Sequence, residues 1–488
     1  MRWTQALDAA FQPQVVAIIG ASAEAVQGKQ RFGSGNSFLA NYRELGFAGR
    51  LYAINPRAQG PVAGVSAFRS IGEVPEPVDL AVAAVPAPVL PGVLEECAAV
   101  RVKAVHIYTA GFEETGFEEG RLLAARCREI IRRTGLCVIG PNGMGPYCPK
   151  GHIGPFDRLP SEPGPVAFIS QSGGNLNWFS HHAAEMGVRF SKAVSFGNGW
   201  VLHGDDFLEY LAEDQDTRII CMYLEGIRDG GRLLELARRT VVHKPILLVK
   251  GGLTASGARA VASHTASLGG EAQIWDAFYK QTGVVRADSL EELADLAMTF
   301  LYVQPPRGLR AVLMGIGGGN SVLAADALAR EGITLPALAP ETTAELATFV
   351  PLAGSMVRNP LDIGAVFRGD PTLLDRTLGL VGRDPNIDII IAAPHLDLNR
   401  SSPEETDRLI ARLSDYARAA PHGKPLALTF HSFSNDPEEL VARQRLMVQL
   451  PQRGVAAFRD LARAGRALAR LYQYQRFLAG APPERALA

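Results

Sequence analysis

The chain has 488 residues, and at about 150 residues per domain this length predicts roughly three domains. Lys and Arg number 49 and Asp and Glu 50, a formal net charge of −1 that argues against a nucleic-acid binder, which carries a basic domain or stripe. Hydrophobic residues at 47% and charged residues at 20% fit ordinary packed cores and exclude disorder for most of the chain.

Short apolar, β-branched runs alternate with amphipathic helical stretches, the pattern of parallel sheets covered on both faces. The first run, VVAIIG at Val15–Gly20, leads into a small-residue turn and a helix around Asn36–Leu45. LYAINP, DLAVAAVP, AVHIYTAG and LCVIGPNG follow and complete a Rossmann-like domain near Tyr147. The Pro- and Gly-rich stretch Gly154–Pro165 reads as a linker. The pattern restarts with VAFISQSGG, a helix over Asn175–Gly187, and strands at SKAVSFG, RIICMYLEG, KPILLVKGG and GVVRA. A helix over Leu290–Val303 closes this second domain before Pro305 and Pro306. The third restart is RAVLMGIGGGN at Arg310–Asn320, then a helix over Ser321–Glu331 and strands at DIIIAAPH and PLALTFH. The expected architecture is α/β with three domains, 1–150, 151–306 and 307–488.

Cys97, Cys127, Cys137, Cys148 and Cys221 form no CxxC pair, so neither a disulfide framework nor a zinc site is expected. The start, MRWTQALDAAFQPQ, lacks the basic end and apolar stretch of a secretory signal. The most apolar region, LAVAAVPAPVLPGVL, is broken by Pro86, Pro88, Pro91 and Gly92 and is too short to span a bilayer. A cytoplasmic chain without membrane contact is expected.

Each domain opens with a strand, a turn of small residues and a helix. Glycine lets backbone approach a ligand, and the free N–H groups of the next helix favour an anion. Packing alone also asks for small residues at a βα turn, so one such loop is a weak signal. In the first domain the turn Gly20-Ala21-Ser22-Ala23-Glu24 has one of the three glycines of a dinucleotide fingerprint. The second run ends in Asn55-Pro56-Arg57, with no carboxylate for a ribose diol and an arginine suited to a phosphate. A phosphorylated adenine nucleotide such as coenzyme A fits better than NAD. The later runs end in YTAGFEETG and GPNGMGPY, so Glu113, Glu114, Asn142 and Gly143 are expected to line the crevice at the carboxyl edge of the sheet.

The most informative segment is KPILLVKGGLTASGARAVASHTASLGG, which sets His264 among Ser263, Thr265 and Ser267, with Arg259 close in sequence. A histidine is an effective nucleophile near neutral pH once an acceptor holds one ring nitrogen. Glu225, at the end of CMYLEG, is a candidate for that acceptor. The competing reading is a hydrogen-bonded loop histidine without a catalytic role. ISQSGG at Ile169–Gly174 and GIGGGN at Gly315–Asn320 each precede a helix, and two helix N-termini directed at one site would stabilise a phosphoryl group on histidine. His181 and His182 are helix neighbours that do not share a face, and the other histidines lack ligand-like spacing. There is no GxSxG, HExxH or GxxxxGK[ST], and no metal site is expected.

SQSGG, SFGN, DFLEYLAED, YLEGIRDG, KPILLVKGG, SHTASL, VLAADAL after the third glycine-rich turn, and NPLDI occur in this order. From about Val15 to at least Asp362 the sequence resembles the NDP-forming acyl-CoA synthetases, specifically the alpha subunits of ADP-forming acetyl-CoA synthetases, related to succinyl-CoA synthetase. The resemblance implies a CoA-binding first domain followed by two flavodoxin-like domains with parallel sheets. It implies a reversible ligase that converts a carboxylic acid, CoA and ATP to acyl-CoA, ADP and phosphate, through an acyl phosphate and a phosphohistidine at His264. By the same resemblance Glu225 orients His264, while Ser170, Gln171, Ser172, Gly173 and Gly174, with Gly317, Gly318, Gly319 and Asn320, hold the phosphoryl group. Gly20, Ala21, Ser22, Asn55, Pro56, Arg57, Gly111 and Asn142 would contact CoA.

ATP or ADP and Mg2+ belong in this family to an ATP-grasp domain of about 200 residues. The chain offers no room for it, so a separate ATP-grasp beta subunit in a hetero-oligomer is expected, with a small carboxylic acid and its acyl-CoA as substrates. The sequence departs from the family pattern at Ala266, where SHTGS is usual, and at Gly199-Trp200-Val201-Leu202-His203, where an Asp normally follows SFGN. Trp200 then signals either a bulkier or more apolar acid than acetate or a surface loop that drifted. A non-catalytic CoA or acyl-CoA sensor with the same fold is the alternative, and a nucleotide-dependent oxidoreductase is a third reading weakened by the missing fingerprint.

Overall fold

The apolar runs become strands buried on both faces, which is why they read as continuous hydrophobic segments rather than alternating ones. The computed structural model describes residues 3–22, 35–259, 271–315, 317–350, 355–363, 371–394, 403–430 and 436–481. By packing, the chain divides into two units: Met1–His182 with Arg189–Leu290, and Ala183–Val188 with Glu291–Ala488.

The first unit holds two sheets. In the first sheet, β1 (Val15–Ile19), β2 (Arg50–Ile54), β3 (Ala67–Phe68), β4 (Leu80–Ala83), β5 (Ala104–Ile107) and β6 (Val138–Ile139) run parallel in the order β3-β2-β1-β4-β5-β6. Strand order reverses between β1 and β4, and open α/β sheets bind ligands outside the carboxyl ends of strands at such a point. The helices Leu90–Ala99 and Glu118–Thr134 bury Leu90, Leu94, Ala124 and Cys127 against the sheet, with β1, β4 and β5 residues in the same core. Asp79 aligns the start of β1 by accepting from the N–H groups of Gln14 (2.7 Å) and Val15 (3.0 Å) and pairing with Lys103 at 2.7 Å. Burial alone would raise its pKa, yet Lys103 and the two N–H groups hold its carboxyl below the usual range.

The second sheet is built from β7 (Gly145–Tyr147), β8 (Val166–Ser170), β9 (Phe190–Ser195), β10 (Ile219–Leu224), β11 (Ile246–Lys250) and β12 (Val285–Ala287) in the order β12-β11-β10-β8-β9-β7. Only β7 is antiparallel, so the chain leaving the first sheet immediately adds an edge strand beside β9. The segment read as a linker is packed rather than loose. Phe156 and Leu159 are buried, the Asn41 amide donates to the Pro155 carbonyl at 2.7 Å, and the Tyr147 hydroxyl donates to that of Pro160 at 2.5 Å.

The second unit contains β13 (Ala311–Met314), β14 (Ile389–Ala392), β15 (Leu426–Thr429) and β16 (Ala457–Phe458), parallel and adjacent in chain order. The helix Leu290–Tyr302 packs here, with Arg463 donating to Asp295 at 2.5 Å and Phe300 edge-on to Tyr474 at 5.3 Å between centroids. Burial pushes Asp295 up to about 6 against the pull of Arg463. Among the described residues no helix is long and apolar enough to cross a membrane.

Candidate active site

The carboxyl ends of β1 and β2 carry the residues expected to meet CoA. Gly20 turns at φ +99°, close under the Ala84 carbonyl, where a Cβ would stand 2.2 Å from the oxygen. Ser22 is clipped to Asn36, its N–H donating to the Asn36 amide oxygen and its carbonyl accepting from the amide nitrogen, both at 2.8 Å. The Asn55 amide donates to the Ala21 carbonyl at 2.8 Å and its oxygen accepts from the Arg57 N–H at 2.9 Å. This Asx turn leaves Pro56 and Arg57 exposed at the strand end. Asn36 was not singled out from sequence. The available signal was a polar residue near the start of the helix Gly35–Glu44 that follows β1, where an amide side chain serves the backbone of the preceding turn.

A cavity of about 270 Å³ opens between the two sheets of this unit. On the first-domain side it is lined by Tyr108, Ala110, Asn142, Gly143 and Met144. On the other side stand Gln171, Ser172, Gly173, Gly174, Gly197 and Asn198. It therefore brings Asn142, expected at CoA, to the turn expected at phosphate. Gly20–Ser22 and Asn55–Arg57 do not line it.

The phosphate turn is shaped by its own side chains. Ser170, fully buried at the end of β8, donates from Oγ to the Ser172 carbonyl (2.6 Å) and accepts from the Ser172 N–H (3.2 Å). Gln171 turns its amide oxygen to the N–H groups of Glu225 and Gly226, each 2.9 Å away. The helix Gly173–Glu185 begins at once; Ser172 Oγ accepts from the Asn175 N–H at 3.3 Å, and Gly173 and Gly174 line the cavity.

Glu225 is buried, and its carboxylate accepts from the Tyr223 hydroxyl at 3.1 Å. The Glu225 carbonyl accepts from Lys250 Nζ at 2.8 Å, and Lys250 also donates to the Gly251 carbonyl. The Glu225 backbone is thus held on its N–H side by Gln171 and on its carbonyl side by Lys250. Burial pushes the Lys250 ammonium down to about 8, with Glu225 pulling the other way. His264, with Ser263, Thr265, Ala266 and Ser267, lies outside the described residues.

Of the crevice residues read from sequence, Asn142 and Gly143 line the cavity; Glu113 and Glu114 brace it from behind. Glu114 accepts from the Gly111 N–H (2.7 Å) and from the Asn198 amide (2.8 Å). Glu113 pairs with Arg128 and accepts from Trp200 Nε1 at 3.4 Å. Trp200 packs edge-on against Phe112 at 4.7 Å, beneath the Arg128 guanidinium, and joins the first-domain core. It is neither a wall of the cavity nor a drifted surface side chain.

His106, set aside for want of ligand spacing, supports the same wall. Its Nε2 lies 2.9 Å from the Gly143 carbonyl, and burial pushes its pKa to about 4. A neutral imidazole facing a carbonyl carries its proton on Nε2.

In the second unit the turn Gly315–Asn320 receives less support. Gly315 N–H donates to the Leu361 carbonyl at 2.9 Å, and Ser321 Oγ donates to Gly318 O at 2.7 Å. Gly317 lies against Asp362, where a Cβ would stand 2.1 Å from the carboxylate. Gly318, Gly319 and Asn320 are exposed.

The chain matches the family described as CoA binding domain over residues 14–148, Succinyl-CoA ligase like flavodoxin domain over 163–300, and Ligase-CoA domain over 311–468. It is 38% identical to the alpha subunit of acetate–CoA ligase [ADP-forming] II of Pyrococcus furiosus, over 79% of this chain and 82% of that one. The chain belongs to the ADP-forming acyl-CoA synthetases. Members of this family are acid–thiol ligases, which removes the oxidoreductase reading and disfavours the non-catalytic sensor. Another member, acetate–CoA ligase [ADP-forming] I of Archaeoglobus fulgidus, is 38% identical over 78% of this chain, which spans 54% of that longer protein. Among solved structures, the Ca. Korarchaeum cryptofilum dinucleotide forming acetyl-coenzyme A synthetase 1, in complex with phosphate and ADP, superposes with a TM-score of 0.81 at 29% identity, covering 97% of both chains.

Proposed function

We propose that this chain is the alpha subunit of an ADP-forming acyl-CoA synthetase, and that the cavity between Asn142 and the Ser172–Gly174 turn is where phosphate meets the acyl thioester. One observation carries the reading: a single cavity joins the edge of the CoA-binding sheet to the N-terminus of the helix Gly173–Glu185. The free N–H groups there favour a phosphate anion, and the helix dipole adds to the attraction. A phosphate oxygen adds to the thioester carbonyl carbon, the C–S bond breaks, and CoA departs as thiolate, leaving an acyl phosphate. His264 then attacks phosphorus, the carboxylate leaves, and the phosphohistidine passes its phosphoryl group to ADP. Splitting the reaction through a covalent intermediate lets two separate sites share one high-energy group.

In this reading Glu225 accepts an N–H from His264 and fixes its tautomer, which is why its backbone is held by both Gln171 and Lys250. Ser22, Asn55 and Arg57 receive the phosphate-bearing end of CoA. Gly317, Gly318, Gly319 and Asn320, at a helix N-terminus of the second unit, bind phosphate. The three domains follow the boundaries 1–150, 151–306 and 307–488. An ATP-grasp beta subunit carries ADP or ATP with Mg2+; the subunit naming of the Pyrococcus relative supports a divided enzyme. A small carboxylic acid is the product in one direction and the substrate in the other.

The test is the intact mass of the purified chain after mixing with inorganic phosphate and a panel of acetyl, branched, dicarboxylic and aryl CoA thioesters. One acid-labile phosphoryl group should appear in the wild-type chain and be absent from His264→Ala. No gain with any thioester, despite measurable CoA binding, would overturn the reading in favour of a sensor.

A further inference from the structure

The cavity wall contains two asparagine side chains in series, and a carboxylate that does not reach the cavity terminates the series. Glu114 Oε1 accepts from the N–H groups of Gly111 (2.7 Å) and Phe112 (3.1 Å). Its other oxygen, Oε2, accepts from Asn198 Nδ2 at 2.8 Å. Asn198 Oδ1 in turn accepts from Asn142 Nδ2 at 3.3 Å. The backbone beneath is fixed as well: Asn198 N–H donates to Pro141 O, Trp200 N–H to Gly140 O, and Asn142 N–H to Thr109 O, all at 2.9 Å. Asn142 stands at φ +55°, a left-handed conformation in which asparagine is enriched.

An amide can present either its oxygen or its nitrogen, whereas an ionised carboxylate only accepts. Glu114 therefore forces the NH2 of Asn198 toward itself and the oxygen of Asn198 toward Asn142. Asn142 must then spend one N–H on Asn198, and the rest of its amide borders the cavity in a single orientation. We propose that Glu114 is a positioning residue that sets the hydrogen-bond polarity of this wall, so that Asn142 offers its second N–H to the thioester carbonyl. The proposal rests on the cavity being the acyl-transfer chamber. As phosphate adds, the carbonyl π pair moves onto oxygen, and a donor already aimed at that oxygen stabilises the charge that develops before the C–S bond breaks. Burial alone would raise the Glu114 pKa, but the N–H groups of Gly111, Phe112 and Glu114 itself, with the Asn198 amide, hold it below the usual carboxylate range, so the acceptor-only form persists at neutral pH.

The polarity argument gives a reciprocal test. In Glu114→Gln the new oxygen can keep both backbone N–H groups, but its NH2 then faces the NH2 of Asn198, and both asparagines must turn. In Asn198→Asp two carboxylates face each other. In the double variant the Gln NH2 donates to the new Asp, whose second oxygen again accepts from Asn142. Phosphate-dependent release of CoA from acetyl-CoA by the full chain should fall by about 100-fold in its maximal single-turnover rate in each single variant, the size typical for losing one oxyanion donor. The acetyl-CoA concentration that gives half of that rate should change far less, and the double variant should recover most of the wild-type rate. A folded double variant as slow as the slower single overturns the proposal, and this comparison holds even if a single variant folds poorly. A wild-type chain that releases no CoA contradicts the chamber reading instead. The role of Glu114 is then read in the side-chain amide NMR signals of Asn142, where a shift in each single variant that reverts in the double variant supports it and unshifted signals in the single variants overturn it.

Discussion

The turns Ser170–Gly174 and Gly315–Asn320 follow one local plan, an apolar strand, small residues and a helix N-terminus, but their surroundings differ. Ser170 and Gln171 are buried, and the Gln171 side chain is bound to two backbone N–H groups that lie 54 and 55 residues further along the chain. A separate domain closes the cavity over the first turn through Asn142, Gly143 and Met144. In the second turn Gly318, Gly319 and Asn320 are exposed, and the helix continues with Val322 at 63% and Leu323 at 69% exposure. Among the described residues, the Asp362 carboxylate lies against Gly317 of that turn. A glycine-rich turn therefore supplies N–H groups wherever it occurs, but distant side chains decide whether those groups are held in a prepared site.

Substitution should separate the two turns sharply. The largest effect is expected for Gln171→Leu, which strands the buried N–H of Glu225 and the part-buried N–H of Gly226 and should cost about 2–4 kcal/mol, at about 1–3 kcal/mol for a buried group and less for the other. Urea unfolding measures it, and a loss below 1 kcal/mol would erase the distinction between a prepared and an open turn.

Lys250 sharpens the same side of the comparison through pH. Its folded pKa of about 8 lies below the ordinary 10.5, so between these values the unfolded chain holds the extra proton. By linkage, its contribution makes the folded state gain stability as pH rises through that window, by up to about 1.4 kcal/mol per pH unit. Below pH 8 the same group opposes folding. Unfolding free energies at several pH values should show this slope in the wild type and not in Lys250→Met. Equal slopes would mean that the ammonium is not desolvated where it holds Glu225.

For the open turn the effects should be smaller. Gly317→Ala pushes a methyl into the Asp362 carboxylate and should cost about 1–3 kcal/mol, as overpacking does, with much of the loss recovered in Gly317→Ala combined with Asp362→Ala. A double variant that unfolds as the sum of its parts would deny that contact. Asn320→Ala, at an exposed position, should leave stability within about 0.5 kcal/mol of wild type in the same unfolding assay. A larger loss would show that the second turn is also held by its own side chains.

The fold was legible in the sequence because strands buried on both faces leave unbroken apolar runs, and VVAIIG, VAFIS and RAVLMG each became a fully buried strand, while LYAINP gave a strand buried only at its end. The turn residues Gln171 to Gly174 and the loop residue Asn142 were legible as motifs, but their meeting in one cavity was not. The bonds that build the wall join residues far apart in sequence: Glu114 to Asn198 across 84 residues and Asn142 to Asn198 across 56. No periodicity or spacing records such a pairing. The setting of Trp200 was illegible for the same reason, since it comes from Phe112, Glu113 and Arg128 on another domain. The role of His106 was illegible because spacing rules look for ligands, whereas its work is one hydrogen bond to the Gly143 carbonyl.

The most direct test of the acyl-transfer chamber is a crystal structure of the full chain with coenzyme A. The phosphate-bearing end should lie at Asn55–Arg57, and the thiol should enter the cavity between Asn142 and the N–H groups of Gly173 and Gly174. A thiol that ends outside this cavity would contradict the assignment of Asn142 and the Ser172–Gly174 turn to one reaction centre.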